Sequence, residues 1–199
     1  MKRKLAIATG NKHKLIEIQA LLQGLEYEIS NPSQLGIENF APIEDGSSFQ
    51  ENAKIKSESL FQLSGELSLA DDSGICVEAL DGRPGIHSAR YGGIHLQDFE
   101  RNELLLSELI GCKNRNAKFV SVIAFTDSNG TQYFTGEVHG IVAESFSGKG
   151  GFGYDPIFYY PQLGKTFAEL SAEEKNRISH RAIALDKFKK FIIDYSTSK

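Results

Sequence analysis

An α/β fold follows from three features of this chain of 199 residues. A short apolar run, KLAIA (Lys4 to Ala8), meets an amphipathic helix pattern across a Thr-Gly-Asn turn. Two alternating apolar runs flank Asn129-Gly130, a strong hairpin signal. Between the remaining strand candidates lie helical patterns opened by capping signals. The prediction is one α/β unit whose sheet includes a long antiparallel hairpin.

Taken in order, Lys4 to Ala8 is a buried strand. From Lys12 onward Leu15, Ile18, Leu21 and Leu22 fall on one helical face, with Gly24 as the stop. LEYEIS (Leu25 to Ser30) reads as a second strand, and the stretch to Ser48 as loop. Ser48 and Glu51 have capping-box spacing, with Ser47 and Gln50 as the other register. The helix FQENAKIKSESLFQL then runs to Gly65. ELSLADDSGICVEAL predicts a strand, an acidic turn and another strand. DGRPGIHSARYGG is irregular, and LQDFERNELLLSELI is amphipathic and helical. Ser171 and Glu174 form a further capping box, and a final helix spans roughly Ile178 to Tyr195. No repeat, low-complexity tract or linker interrupts the chain.

Composition narrows the function. Hydrophobic residues make up 40% and charged residues 24%, as in ordinary soluble domains. A net charge of −4, with Lys and Arg scattered, argues against broad nucleic-acid or anionic-membrane binding and makes any phosphate site local. No segment approaches a membrane span. The basic start MKRK precedes too short an apolar run, Leu5 to Ala8, for a signal peptide, so a cytoplasmic protein is expected. Cys76 and Cys112 give neither a disulfide framework nor metal-ligand spacing and are expected to pack as small hydrophobes. His13, His87, His95, His139 and His180 are too dispersed for a metal cluster.

Four stretches carry possible chemistry. TGNKHK (Thr9 to Lys14) joins a strand to a helix start, where backbone N–H groups and the helix dipole favour an anion. It reads either as such a cradle, with Lys12 and Lys14 adding charge, or as a capped helix with solvated lysines. Asp71-Asp72 suits a hard cation such as Mg²⁺, usually held by one or two carboxylates plus substrate phosphates, or else an acidic turn. SGKGGFG matches GxGxxG at Gly148, Gly150 and Gly153, but no helix pattern follows, so the dinucleotide reading fails. Glycines around Phe152 and Tyr154 suit a base-stacking loop, or aromatics folded onto a core. EEKNRISHR (Glu173 to Arg181) mixes acids and bases on a helical stretch. An anion cradle, an acidic metal site, an aromatic platform and a basic cluster make the parts list of a nucleoside triphosphate enzyme.

Five segments in order, ATGNKHKLIEI, FQENAKIKSESL, LADDSGICVEALDGRPGIHSARYGG, GGFGYDPIF and KTFAELSAEEKNRISHRAIAL, resemble the inosine/xanthosine triphosphate pyrophosphatases from Leu5 to about Leu185. The resemblance implies an elongated two-lobed α/β fold around a long mixed sheet with flanking helices, its active site in the cleft between lobes, and a single domain over 1–199. It implies a homodimer, Mg²⁺, and hydrolysis of ITP, dITP or XTP to the monophosphate and pyrophosphate by attack of water on the α-phosphorus. Carried over, Asp72 is the proton acceptor and a metal ligand, and Asp71 supports it. Thr9, Gly10, Asn11, Lys12, His13 and Lys14 match the phosphate loop, Lys56 a further phosphate contact and Ser73 a substrate contact. Phe152, Gly153, Tyr154 and Asp155 match the base loop, with Phe152 stacking on the purine. Lys175, His180 and Arg181 match contacts near the base, where donors from His180 or Arg181 would favour a 6-oxo purine. Two adjacent glutamates of the family pattern are here Ile43 and Glu44, with Glu44 left as the second metal residue.

Two rival readings exist: a catalytically silent nucleotide-binding regulatory module of the same fold, and an enzyme for another nucleotide. Asp72 beside Lys14 and Lys56 argues against the first, because a pure binder needs the lysines but no base.

Overall fold

The computed structural model describes residues 3–197. The outermost two positions at each end of the expected domain, Lys2 of the basic start among them, lie outside the described residues. The sheet has seven strands in the order β2-β1-β3-β4-β5-β6-β7. They are β1 (Arg3–Ile7), β2 (Tyr27–Ser30), β3 (Leu67–Val77), β4 (Asn116–Asp127), β5 (Gly130–Val142), β6 (Phe158–Tyr160) and β7 (Lys165–Thr166). Pairing is mixed: β1 runs parallel to β2 and β3, whereas β5, β6 and β7 are antiparallel neighbours. The helices are α1 (Lys12–Leu21), α2 (Phe49–Ser64), α3 (Asp98–Glu108), α4 (Ala172–Ile178) and α5 (His180–Thr197). No helix among the described residues is long and apolar enough to cross a membrane.

The chain forms two compact units. One comprises Met1–Asp72, Ser121–Gly136 and Arg181–Lys199; the other comprises Ser73–Val120 and Glu137–His180. In the first, strand alternation sorts the core. Leu5, Ile7 and Leu69 pack with Ile18 and Leu22 near α1 and with Leu185, Phe188 and Ile192 of α5. Ala6, Ala8 and Ala70 point the other way and pack with Leu60 of α2. In the second unit Phe119, Phe158 and Phe167 make an aromatic core, with ring centroids 4.4 Å apart for Phe119–Phe158 and 4.9 Å for Phe158–Phe167.

Helix ends follow the local chemistry. The Ser48 side chain caps α2 by accepting from Glu51 N, which selects the Ser48 register, and Gly65 closes the helix in the left-handed region. Glu51 reaches back to Ser47, whose N–H and hydroxyl donate to its carboxylate at 2.6 and 2.7 Å. Ser171 and Glu174 form the expected reciprocal box on α4.

Two expectations need correction. The acidic pair lies inside one continuous strand of 11 residues, β3, and not at a turn. The hairpin turn sits one residue earlier than predicted, since β4 ends at Asp127 and β5 starts at Gly130. The final helix, expected over roughly Ile178 to Tyr195, is α5, set off from α4 by Ser179, which is extended at φ −68° and ψ 155°. Cys76 and Cys112 are free and half-buried.

Candidate active site

Alternation along β3 gives its two aspartates different neighbours. Asp71 follows the face of Leu69, toward α1 and α5; Asp72 follows the face of Ala70, toward α2. Asp71 is fully buried and forms a hub. Its Oδ1 accepts from the Ser121 hydroxyl at 2.5 Å, and its Oδ2 meets Arg181 Nη2 at 3.0 Å and Lys14 Nζ at 2.9 Å. Arg181, 1% exposed, also gives Nη1 to Glu17, one turn beyond Lys14 on α1. Burial alone would raise the Asp71 carboxyl; Arg181 and Lys14 outweigh it and hold the group well below the usual carboxylate range.

Asp72 is differently placed. Its Oδ1 accepts from Lys56 Nζ at 2.7 Å, and the same ammonium reaches Glu44 Oε2 at 2.7 Å. Burial works to discharge Lys56, but Asp72 and Glu44 hold it above its ordinary value and so charged. At Asp72 burial prevails over the pull of Lys56 and Lys14, and the carboxyl lies above its ordinary value. Its second oxygen, Oδ2, is buried with no hydrogen-bond partner among the described residues. An unmatched buried carboxylate oxygen is costly, and a cation or a water would satisfy it. Asp72 and Glu44 thus fit the donor set of Mg²⁺, which takes one or two carboxylates and completes its shell with water and phosphate oxygens. Among the described residues no three His, Cys, Asp or Glu side chains gather into a metal cluster. Ile43 is 81% exposed, and the loop bearing Glu44 is tied to α2 by Gly46 N donating to Asn52 Oδ1 at 2.9 Å.

The turn from Thr9 to Lys14 is a capped helix start. Asn11 Oδ1 accepts from His13 N and Lys14 N, and Thr9 Oγ1 accepts from Asn11 N. Those amides serve the cap, and the Thr9 hydroxyl and the Asn11 Nδ2 group can still donate. Gly10, Lys12 and His13 are exposed beside the cap.

The second unit holds another cluster. Asp155, 2% exposed, accepts from Lys175 Nζ at 2.5 Å and from Phe152 N at 2.9 Å. Lys175 Nζ lies 4.7 Å from the centroid of the half-buried Phe152 ring, a cation–π contact. Gly151 has no room for a side chain, since an added Cβ would lie 2.1 Å from Asp155 Oδ2. Ser73 is half-buried on β3. His180, 4% exposed, stacks on Phe119 with ring centroids 4.6 Å apart.

Two residues expected near the base have partners within the protein. Tyr154 is 5% exposed and donates its hydroxyl to Ser88 O at 2.9 Å; burial pushes its pKa upward, and it anchors the loop from within the core. Arg181 is committed to Asp71 and Glu17 in the first unit, while its neighbour His180 belongs to the second. Sequence reading passed over Glu17 and Ser121. Each had a signal: Glu17 shares a helical face with Lys14, and Ser121 is a lone hydroxyl in the apolar run FVSVIAF.

Fold and site define a mixed-sheet α/β protein with a buried carboxylate–lysine centre. The chain belongs to the Ham1 family, whose model matches residues 5–191. It is 49% identical over 189 residues to a dITP/XTP pyrophosphatase of Leptospira biflexa serovar Patoc (strain Patoc 1 / Ames), covering 94% of this chain and 95% of that protein. A dITP/XTP pyrophosphatase of Leptospira interrogans serovar Lai (strain 56601) is 46% identical over 194 residues, covering 96% and 98%. The solved structure of the Staphylococcus aureus Ham1 protein matches with a TM-score of 0.89 at 40% identity, over 97% of this chain and 100% of that one.

Proposed function

We propose that this chain hydrolyses non-standard purine nucleoside triphosphates, dITP, XTP or ITP, to the monophosphate and pyrophosphate. The observation that carries the reading is Asp72: a buried carboxylate with one oxygen on Lys56, the other unmatched, and a pKa raised by burial. Such a group is poised to accept a proton from water, and a raised pKa makes it the better base near neutral pH. The names of the relatives supply the substrate class.

In this reading Asp72 orients and deprotonates the water that attacks the α-phosphorus. Lys14 and Lys56 offset charge on the triphosphate, with Lys12 and His13 at the exposed helix start adding to the field. Asp72 and Glu44 would hold Mg²⁺. Bound there, the metal would supply a Lewis acid that acidifies water and neutralises phosphate charge. Phe152 offers the stacking face, and the Lys175 ammonium over it favours the O6 acceptor of a 6-oxo purine over the amino donor of adenine. His180 and Ser73 are further substrate contacts. The assembly is a homodimer in the cytoplasm with both units serving one activity, and neither nucleic acid nor membrane is a partner.

The test assays pyrophosphate and orthophosphate separately from a panel of nucleoside triphosphates, with and without Mg²⁺. Mg²⁺-dependent pyrophosphate from ITP and XTP, with little from ATP or GTP, is expected. Orthophosphate as the primary product would move the attack to the γ-phosphorus, and tight ITP binding without turnover would indicate a regulatory module.

A further inference from the structure

We infer that Asp98 and Asn102 of α3 are positioning residues that hold the Phe152 loop in its base-stacking shape; this rests on the proposal that Phe152 stacks on the substrate base. The two side chains lie one turn apart on the same helical face. They take both polar groups of a single residue: Gly153 N donates to Asp98 Oδ2 at 2.8 Å, and Gly153 O accepts from Asn102 Nδ2 at 2.9 Å. The preceding amide, Phe152 N, goes to Asp155. Successive amides of the loop are thus gripped by two carboxylates from different elements.

The loop needs such a grip. Between Gly148 and Gly153 it has four glycines, of which Gly148, Gly151 and Gly153 take positive φ, at 82°, 70° and 61°. Glycines leave a backbone with many alternative conformations, and ordering them at the moment of binding weakens affinity. A clamp from a rigid helix spends that entropy during folding instead.

Asn102 carries the sign of a residue kept for this purpose. It is 1% exposed, yet its Oδ1 has no hydrogen-bond partner among the described residues. A half-satisfied buried amide is a poor choice for stability, where an apolar side chain of similar shape would serve as well or better. What the amide provides is the bond to Gly153. Asp98 is 53% exposed at its side chain and also pairs with Arg101 at 2.9 Å, which fixes its own rotamer.

The test measures KM and kcat for ITP, and the ITP-to-GTP ratio of kcat/KM, in Asn102→Leu, Asp98→Ala, Asp98→Asn and Phe152→Ala. Loss of one clamp bond is expected to raise KM for ITP about threefold to tenfold with kcat little changed, and to narrow the ITP-to-GTP ratio. Asp98→Asn, whose amide oxygen still accepts from Gly153 N, should recover most of what Asp98→Ala loses. If Phe152→Ala raises KM while both clamp variants leave KM and the ratio unchanged, the clamp inference is overturned and the stacking proposal stands. If Phe152→Ala itself changes nothing, the stacking proposal fails first. Should Asn102→Leu not fold, the exposed Asp98 pair of variants decides alone.

Discussion

Asp71 and Asp72 show what one step along a strand does to a side chain. Both carboxylates are buried, yet Asp71 meets Arg181 and Lys14 and is saturated, whereas Asp72 meets Lys56 and keeps an open oxygen. The first is saturated within the fold, and the second is the one the proposed reaction uses. Asp72→Asn should lower turnover by about a hundredfold to ten-thousandfold, the range expected for a lost general base, while nucleotide binding persists. Steady-state rates beside calorimetric binding check this, and a variant retaining most activity would refute the role. A second residue-scale test concerns Tyr91. Burial, then its hydrogen bond to Glu108, pushes its pKa up to about 12. The unfolded chain ionises its tyrosines near pH ~10, so the stability tied to this phenol is complete below that pH and is lost as pH rises through about 12. Tyr154 and Tyr27 are also raised by burial, so ultraviolet titration should show several late tyrosines, of which one moves to lower pH in Glu108→Gln; an unchanged curve would remove Glu108 as a cause.

Among the elements, β3 is the one whose local sequence misleads. Asp-Asp-Ser-Gly is turn chemistry, yet the backbone stays extended because β3 continues through it beside β4, and that pairing with the ion pairs of both aspartates outweighs local preference. Gly74 is required here by contact rather than flexibility. A Cβ would come within 2.3 Å of Gly85 O and of Ser88 Oγ, the hydroxyl that accepts from Ile75 N. Gly74→Ala should therefore cost about 1–3 kcal/mol in urea unfolding, the usual penalty for overpacking. An unaltered midpoint would mean that the short helix over Gly85–Arg90 moves aside freely. The break at Ser179 is likewise a tertiary decision, since the extended residue separates a Lys175 tied to Asp155 from an Arg181 tied to Asp71. Local propensity in EEKNRISHR gives no reason for a stop there. By contrast the α2 cap and the α4 capping box were readable in the chain, because a cap is satisfied within four residues of its own sequence.

For the whole molecule, the proposed Mg²⁺ can be tested through stability. With a non-hydrolysable ITP analogue present, Mg²⁺ should raise the thermal midpoint, and at a hundred times its dissociation constant the added stability would be about 2.7 kcal/mol. Asp72→Ala should abolish the Mg²⁺-dependent part, and Glu44→Ala should reduce it. A full shift in Asp72→Ala would place the metal elsewhere. The sequence by itself determined the α/β class, the hairpin and the capped starts of α2 and α4, because periodicity and capping are local properties; Lys14, the Asp71-Asp72 pair and Phe152 stood out by their chemistry, whereas Lys56, Lys175 and the choice of Asp72 over Asp71 came from the family resemblance. Only the tertiary structure decided how these residues are shared out. It gave Arg181 to Asp71, Tyr154 to the core, the helix-start amides to Asn11, and Gly153 to Asp98 and Asn102. Each is a competition for a hydrogen-bond partner, settled by which groups a packed chain brings within about 3 Å of one another.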